Sequence, residues 1–354
     1  MGGPVLASSL LRERGHRGKL SCGCAVLDAF LGGGIDHSGI TEVAGEAGSG
    51  KSQFVLQLML SVQLPASLGG LGGGAIYMHA DTPSYLPAVK RLKQIAAAFA
   101  KSHSAHGATE ERLMNQISII QIDTAESLEH VIVNALPGFL REKPVRLIVL
   151  DSIGALFRAV GEDGGSSRTH LHDRAQQLFA ISARLKRISD SFNVAIVTDK
   201  QLGALGLLHA PAYELEVCRL QDGKSARVPA LGIGWAHCVN TRLIFTRKQI
   251  CIAGPGGTAH DQPDHHAGFH SDSTSSASGF QPRRVMGPTC IEPKVADNST
   301  KSSSSNLDYP ANTSVSTKMD RRMSIAWSPR LPNRSTHFEV RDDGLFGIAD
   351  KASA

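Results

Sequence analysis

From Ile40 to Asp199 the chain alternates short runs of Val, Ile and Leu with longer segments whose apolar residues recur every three or four positions. ITEVAG (40–45), AIYMHAD (75–81), ISIIQID (117–123), VRLIVLD (145–151) and NVAIVTD (193–199) have the length and composition of strands. KSQFVLQLMLSVQL (51–64) is apolar nearly all round, which predicts a buried helix stopped at Pro65. Residues 86–102 place Leu92, Ile95, Ala96 and Phe99 on one helical face; residues 126–143 read as a helix kinked or broken at Pro137, and 171–192 as an amphipathic helix. Nearly continuous apolar strands separated by helices predict a mostly parallel sheet covered on both faces. After Asp199 the pattern changes. TRLIFTR (241–247), RRMSIAWSP (321–329) and THFEVRDDG (336–344) are strand-like without intervening helices, which predicts an antiparallel extension at one sheet edge.

Composition alters this picture in one region. Residues 248–320 are rich in Ser, Gly, Asp, Asn, Thr and His, with few large apolar residues. Such a stretch cannot bury enough area to offset its ordering entropy, and a disordered insertion is expected. The expected organisation is an N-terminal extension 1–19, a core 20–247, the insertion 248–320, returning core strands 321–349 and a tail 350–354. His260, His265, His266 and His270 fall in the insertion, where polar low complexity is a better reading than a metal site. The six cysteines lack paired zinc-ribbon spacing and read as reduced thiols; Cys22 and Cys24 are expected on a strand with both side chains on one face. The net charge of +5 permits contact with nucleic acid without requiring it. No apolar run is long enough to span a bilayer, and the first twenty residues place base after their short apolar run, a poor secretory signal.

The candidate chemistry centres on GEAGSGKS. It fits G-x-x-x-x-G-K-[ST] at Gly45, Gly50, Lys51 and Ser52, with Glu46, Ala47, Gly48 and Ser49 between. Glycines let consecutive backbone N–H groups point into one concavity that cradles phosphates. Lys51 would reach the β- and γ-phosphates, Ser52 would ligate Mg²⁺, and the following helix adds its positive end. A strand before and a helix after meet the context this motif requires. VRLIVLD ends in Asp151 where open α/β sheets bind ligands, which suits a metal-holding acid better than a simple loop cap. Asp81, ending AIYMHAD, is the candidate to orient the attacking water, and Gln201 the candidate γ-phosphate sensor.

These pieces in this order resemble the RecA-like recombinases of eukaryotes, and among them the accessory paralogues. The likeness lies in LSCGCAVLDAFLGGGIDHSGITEVAGEAGSGKSQFVLQL, in VPALGIGWA (228–236) and in SIAWSPRLPNRSTHFEVRDDGLFGI, and covers most of 19–247 and 319–349. It implies a RecA-like P-loop ATPase core using ATP and Mg²⁺, a nuclear DNA-repair protein of homologous recombination, and no membrane. The implied partners are other recombinase paralogues, the main recombinase, and single-stranded or branched DNA. Carried over by position, Gly45–Ser52 form the nucleotide loop, Asp151 is the second acid and Gln201 the sensor. Arg91 matches an arginine lying against the adenine, though a solvated helix arginine reads equally well. Ser328, Pro329 and Pro332 match a segment capping a neighbouring subunit's nucleotide. Residues 202–240 occupy the place of the family's DNA loops; Arg219, Lys224 and Arg227 suit backbone contact, or a solvated loop.

Three departures stand out. The family usually carries Glu where Asp81 stands, and one methylene less retracts the carboxylate. It tends to read N-Q where this chain has Lys200-Gln201, and it places a small N-terminal domain and docking linker ahead of the core, where residues 1–19 stand here. Two functions follow as expectations: a weak DNA-dependent ATPase assisting recombinase assembly, or an ATP-binding structural adaptor without significant turnover. A small-molecule kinase would need an acceptor site and an arginine-rich lid, and neither is legible.

Overall fold

The computed structural model describes residues 6–9, 18–80, 85–157, 168–201, 231–252 and 316–349. The elements run β1 (Lys19–Leu20), α1 (Ala25–Phe30), β2 (Ile35–Asp36), β3 (Ile40–Gly45), α2 (Lys51–Ser61), β4 (Gly74–His79), α3 (Leu86–Ser102), α4 (Glu110–Asn115) and β5 (Ile117–Gln121). They continue with α5 (Ala125–His130), α6 (Leu136–Glu142), β6 (Val145–Asp151), α7 (Ile153–Leu156), α8 (Arg168–Phe192) and β7 (Ala195–Gln201). The chain closes with α9 (Gly232–Cys238), β8 (Thr241–Ile252), β9 (Ser316–Trp327), β10 (Ser335–Arg341) and β11 (Gly344–Ile348). By compactness, 1–250 with 319–354 form one unit and 251–318 another, of which only the ends are described.

Among the described residues the main sheet has nine strands in the order β11-β10-β9-β8-β3-β7-β6-β4-β5. From β8 to β5 neighbouring strands are parallel, whereas β9, β10 and β11 pair antiparallel at one edge. This is the RecA-like architecture expected, with one correction. TRLIFTR, expected in the antiparallel extension, follows helix α9 and is the parallel strand β8 beside β3, so the extension is made by the antiparallel pairing of β9, β10 and β11. The period of two sorts the strands onto two cores. Tyr77, Leu147, Val149, Val197, Leu243 and Phe245 pack with α2 and α3 on one face. Ile76, Met78, Ile148, Leu150 and Ile196 pack with α5, α6, α8 and α9 on the other. Helix α2 is enclosed on several sides, with Phe54, Val55, Leu56, Leu58, Met59 and Leu60 all buried. The predicted face of α3, Leu92, Ile95, Ala96 and Phe99, is buried too.

Several details differ from expectation. Helix α2 ends at Ser61, ahead of Pro65. The helix over 126–143 is not broken at Pro137 itself: a wide π turn occupies Val131–Ala135, and Pro137 sits in the first turn of α6. Widening the upstream turn accommodates a ring that has no N–H to give and would crowd the carbonyl four residues before it. Cys22 and Cys24 lie on no strand; Cys24 is the N-cap of α1, and Cys22 N donates to Asp28 Oδ1 at 2.7 Å. The strands flanking the expected insertion are longer than their apolar runs, so 248–252 and 316–320 are strand rather than loop. β8 and β9 are sheet neighbours, and ladder bonding between backbones does not require apolar side chains. Residues 253–315, with the four histidines, lie outside the described residues. No helix of the described residues is long and apolar enough to cross a membrane.

Candidate nucleotide site

The loop between β3 and α2 sits where the parallel strands end. Gly48 (φ +72°) and Gly50 (φ +111°) take left-handed backbone that a side chain would strain. Space enforces the same choice: a Cβ on Gly50 would stand 2.9 Å from the Phe338 ring, and one on Gly45 2.3 Å from the Phe245 carbonyl. Ser49 is fully buried, and its hydroxyl has no hydrogen-bond partner. Lys51 is buried too, and its Nζ donates to the Glu46 carbonyl at 3.0 Å, folding back over the loop. Ser52 is exposed at the start of α2. A cradle of this form, with a cation already curled above it, fits the phosphates of a nucleotide.

A cavity of about 390 Å³ opens from the loop, lined by Gly48, Gly50, Lys51, Ser52, Arg91 and Arg321 among others. Its far wall is the tip of the β10–β11 hairpin, at Val340, Arg341 and Asp342. Arg91 ties this wall to α3: its Nη2 donates to the Arg341 carbonyl at 2.6 Å, its Nη1 to the Asp342 carbonyl at 3.0 Å and its Nε to Gln53 Oε1 at 2.6 Å. Arg91 is therefore not the freely solvated helix arginine allowed above; it is a clamp at the cavity wall. Arg321 stands opposite Phe338 across the β9–β10 ladder, and its buried Nε has no hydrogen-bond partner. The sequence reading missed Arg321, Arg341 and Asp342, because they return to the loop from about 270 to 290 residues along the chain.

Asp151 ends β6 half-buried, and its Oδ2 accepts a 2.5 Å hydrogen bond from Tyr77 Oη. Tyr77 was legible only as an apolar strand residue. Its strand neighbour His79 brings Nδ1 to 3.4 Å from the same phenol. On β7, Asp199 is buried and accepts from Ser52 Oγ at 3.5 Å. Even spacing after Ala195 and Val197 was the one signal that could have singled it out. Among the described residues no three His, Cys, Asp or Glu side chains make a self-sufficient metal cluster. A magnesium ion needs no such cluster, since one or two carboxylates and nucleotide oxygens suffice for it.

Gln201 ends β7 in register with Gly45, so its backbone lies beside the loop. Ser328, Pro329 and Pro332 lie in the link between β9 and β10, on the surface, where Ser328 Oγ accepts from the backbone N–H groups of Arg330 and Leu331. Trp327 just before them is 48% exposed. Asp81, Arg219, Lys224 and Arg227 lie outside the described residues. Under the loop strand, Glu42 is fully buried and paired with Arg242 of β8, while its Oε1 accepts from Trp235 Nε1 of α9 at 2.9 Å. That network joins the strand leading into the loop to the helix that follows residues 202–230.

Comparison with known proteins agrees with this geometry. The Rad51 family model matches residues 13–248. The chain is 30% identical to the DNA repair protein XRCC3 homolog of Arabidopsis thaliana, over 98% of each chain. It is 35% identical to DNA repair protein XRCC3 of Bos taurus, over 72% of this chain and 73% of that protein. It is 29% identical to DNA repair protein RAD51 homolog 2 of Homo sapiens, over 66% of this chain and 63% of that protein.

Proposed function

The chain belongs to the Rad51 family, and from that premise we propose that it is an ATP-binding DNA-repair protein of homologous recombination, working among other recombinase paralogues. The observation that carries the ATP reading is the loop itself: left-handed glycines, a buried serine hydroxyl without a partner, and Lys51 folded over the cradle. Lys51 and the backbone N–H groups of 46–52 would bind the phosphates, with Arg91 and the hairpin tip closing the base end of the cavity. Ser52 and Asp151 would hold Mg²⁺, which supplies charge neutralisation on the transferred phosphoryl group. Tyr77 orients the Asp151 carboxylate through its phenol hydrogen bond. In this reading Asp81 orients the water, Gln201 senses the γ-phosphate, and Ser328, Pro329 and Pro332 cap the nucleotide of a neighbouring subunit. Single-stranded or branched DNA is met through Arg219, Lys224 and Arg227, and the protein works in the nucleus.

The experiment measures ATP affinity by calorimetry and single-turnover hydrolysis with and without single-stranded DNA. Lys51→Ala is expected to lose several kcal/mol of nucleotide binding, of the order of a charge-assisted contact to phosphate plus its buried surroundings. Unchanged affinity in a folded Lys51→Ala protein would refute the ATP site. Intact binding without DNA-stimulated turnover would leave the protein an ATP-set adaptor within a paralogue complex.

A further inference from the structure

The phosphate loop faces a carboxylate besides Asp151. In β7, Ala195 and Val197 belong to the core that contains α2, and Ile196 to the opposite one. Alternation therefore places Asp199 on the α2 face. There it is 2% exposed and accepts from Ser52 Oγ at 3.5 Å. The register pairs Asp199 with Asp151 on one side and with Val43, two residues before Gly45, on the other. Asp199 thus stands between the loop strand and the strand that ends in Asp151, against the serine that P-loops offer to a cation.

We infer that Asp199 is a second carboxylate of the magnesium site at this nucleotide, acting with Ser52 and Asp151; the inference rests on the ATP reading above. Two carboxylates in register on adjacent strands repel each other, and a divalent cation beside them neutralises both. The same fixed charge repels the terminal phosphate of a nucleotide that arrives without metal. Asp199 therefore acts in two directions: it raises affinity for the metal–nucleotide complex and lowers affinity for the bare nucleotide. A residue with only a packing role would not produce opposite effects.

The test measures the dissociation constant of a fluorescent ATP analogue at graded free Mg²⁺, with an EDTA endpoint, for the wild-type chain and Asp199→Asn. The asparagine variant is expected to raise the Mg²⁺ midpoint roughly 10–100-fold, as lost metal-site partners do, while binding the analogue more tightly in EDTA. An unchanged midpoint in a folded Asp199→Asn protein overturns the inference. If the wild-type chain binds no nucleotide at any Mg²⁺ concentration, the ATP reading itself has failed. Should Asp199→Asn not fold, Asp151→Asn decides: a surviving Mg²⁺ dependence supports the second acid, and its complete loss overturns it.

Discussion

Arg91 on α3 donates to the backbone carbonyl of Arg341 at 2.6 Å, fastening the β10–β11 hairpin across the cavity that opens from the glycine-rich loop. A residue that sequence likeness places against a base is thereby also the clasp of the cavity's far wall. Arg91→Ala is expected to cost only about 1 kcal/mol of global stability, because these bonds are solvent-exposed. It should nevertheless speed amide hydrogen exchange across 341–345 and weaken ATP binding. Faster exchange without weaker binding would separate the clasp from the ligand.

Glu42 and Arg242 form a buried pair that also receives the Trp235 indole. Removing one partner strands the other charge, so Glu42→Gln should cost about 3–5 kcal/mol in urea unfolding. Replacing both, as Glu42→Gln with Arg242→Met, should recover much of that loss. A double-mutant cycle with no coupling would show that the pair is not the source of the cost.

Burial drives the Cys22 thiol well above its usual value of 9.0, and the nearby Asp28 carboxylate adds to the shift. The folded state thus holds its proton at a pH where the unfolded chain has released it. Below pH 9 both states are protonated and the thiol contributes no slope. Above it the native state binds more protons, so stability falls as pH rises, by at most about 1.4 kcal/mol per pH unit. Urea unfolding between pH 8.5 and 10.5 should show a shallower decline in Cys22→Ala than in wild type, after allowance for its lower baseline.

Asp81 has a side chain one methylene shorter than the glutamate usual in the family. Asp81→Glu should raise the single-turnover rate, and Asp81→Asn should lower it while ATP binding holds. On the proposed role, loss of a well-placed base costs ~10²–10⁴-fold, and loss of one with a shorter side chain should cost less. Hydrolysis indifferent to both changes would remove Asp81 from the reaction and favour the adaptor.

The five parallel strands between Ile40 and Gln201, the helix faces of α2 and α3 and the phosphate loop were legible along the chain. Each depends on local rules: alternation, helical period and the backbone freedom of glycine at fixed spacing. Asp151 was legible for the same reason, as a carboxylate closing an apolar run. The strand order, which sets β7 between β3 and β6, is not written in any local pattern. That order brings Asp199 to Ser52 over 147 residues and Arg341 to Arg91 over 250. Chain pattern tells which face of a strand a side chain takes, whereas pairing between distant strands, set by the packing of the whole sheet, determines what that face meets.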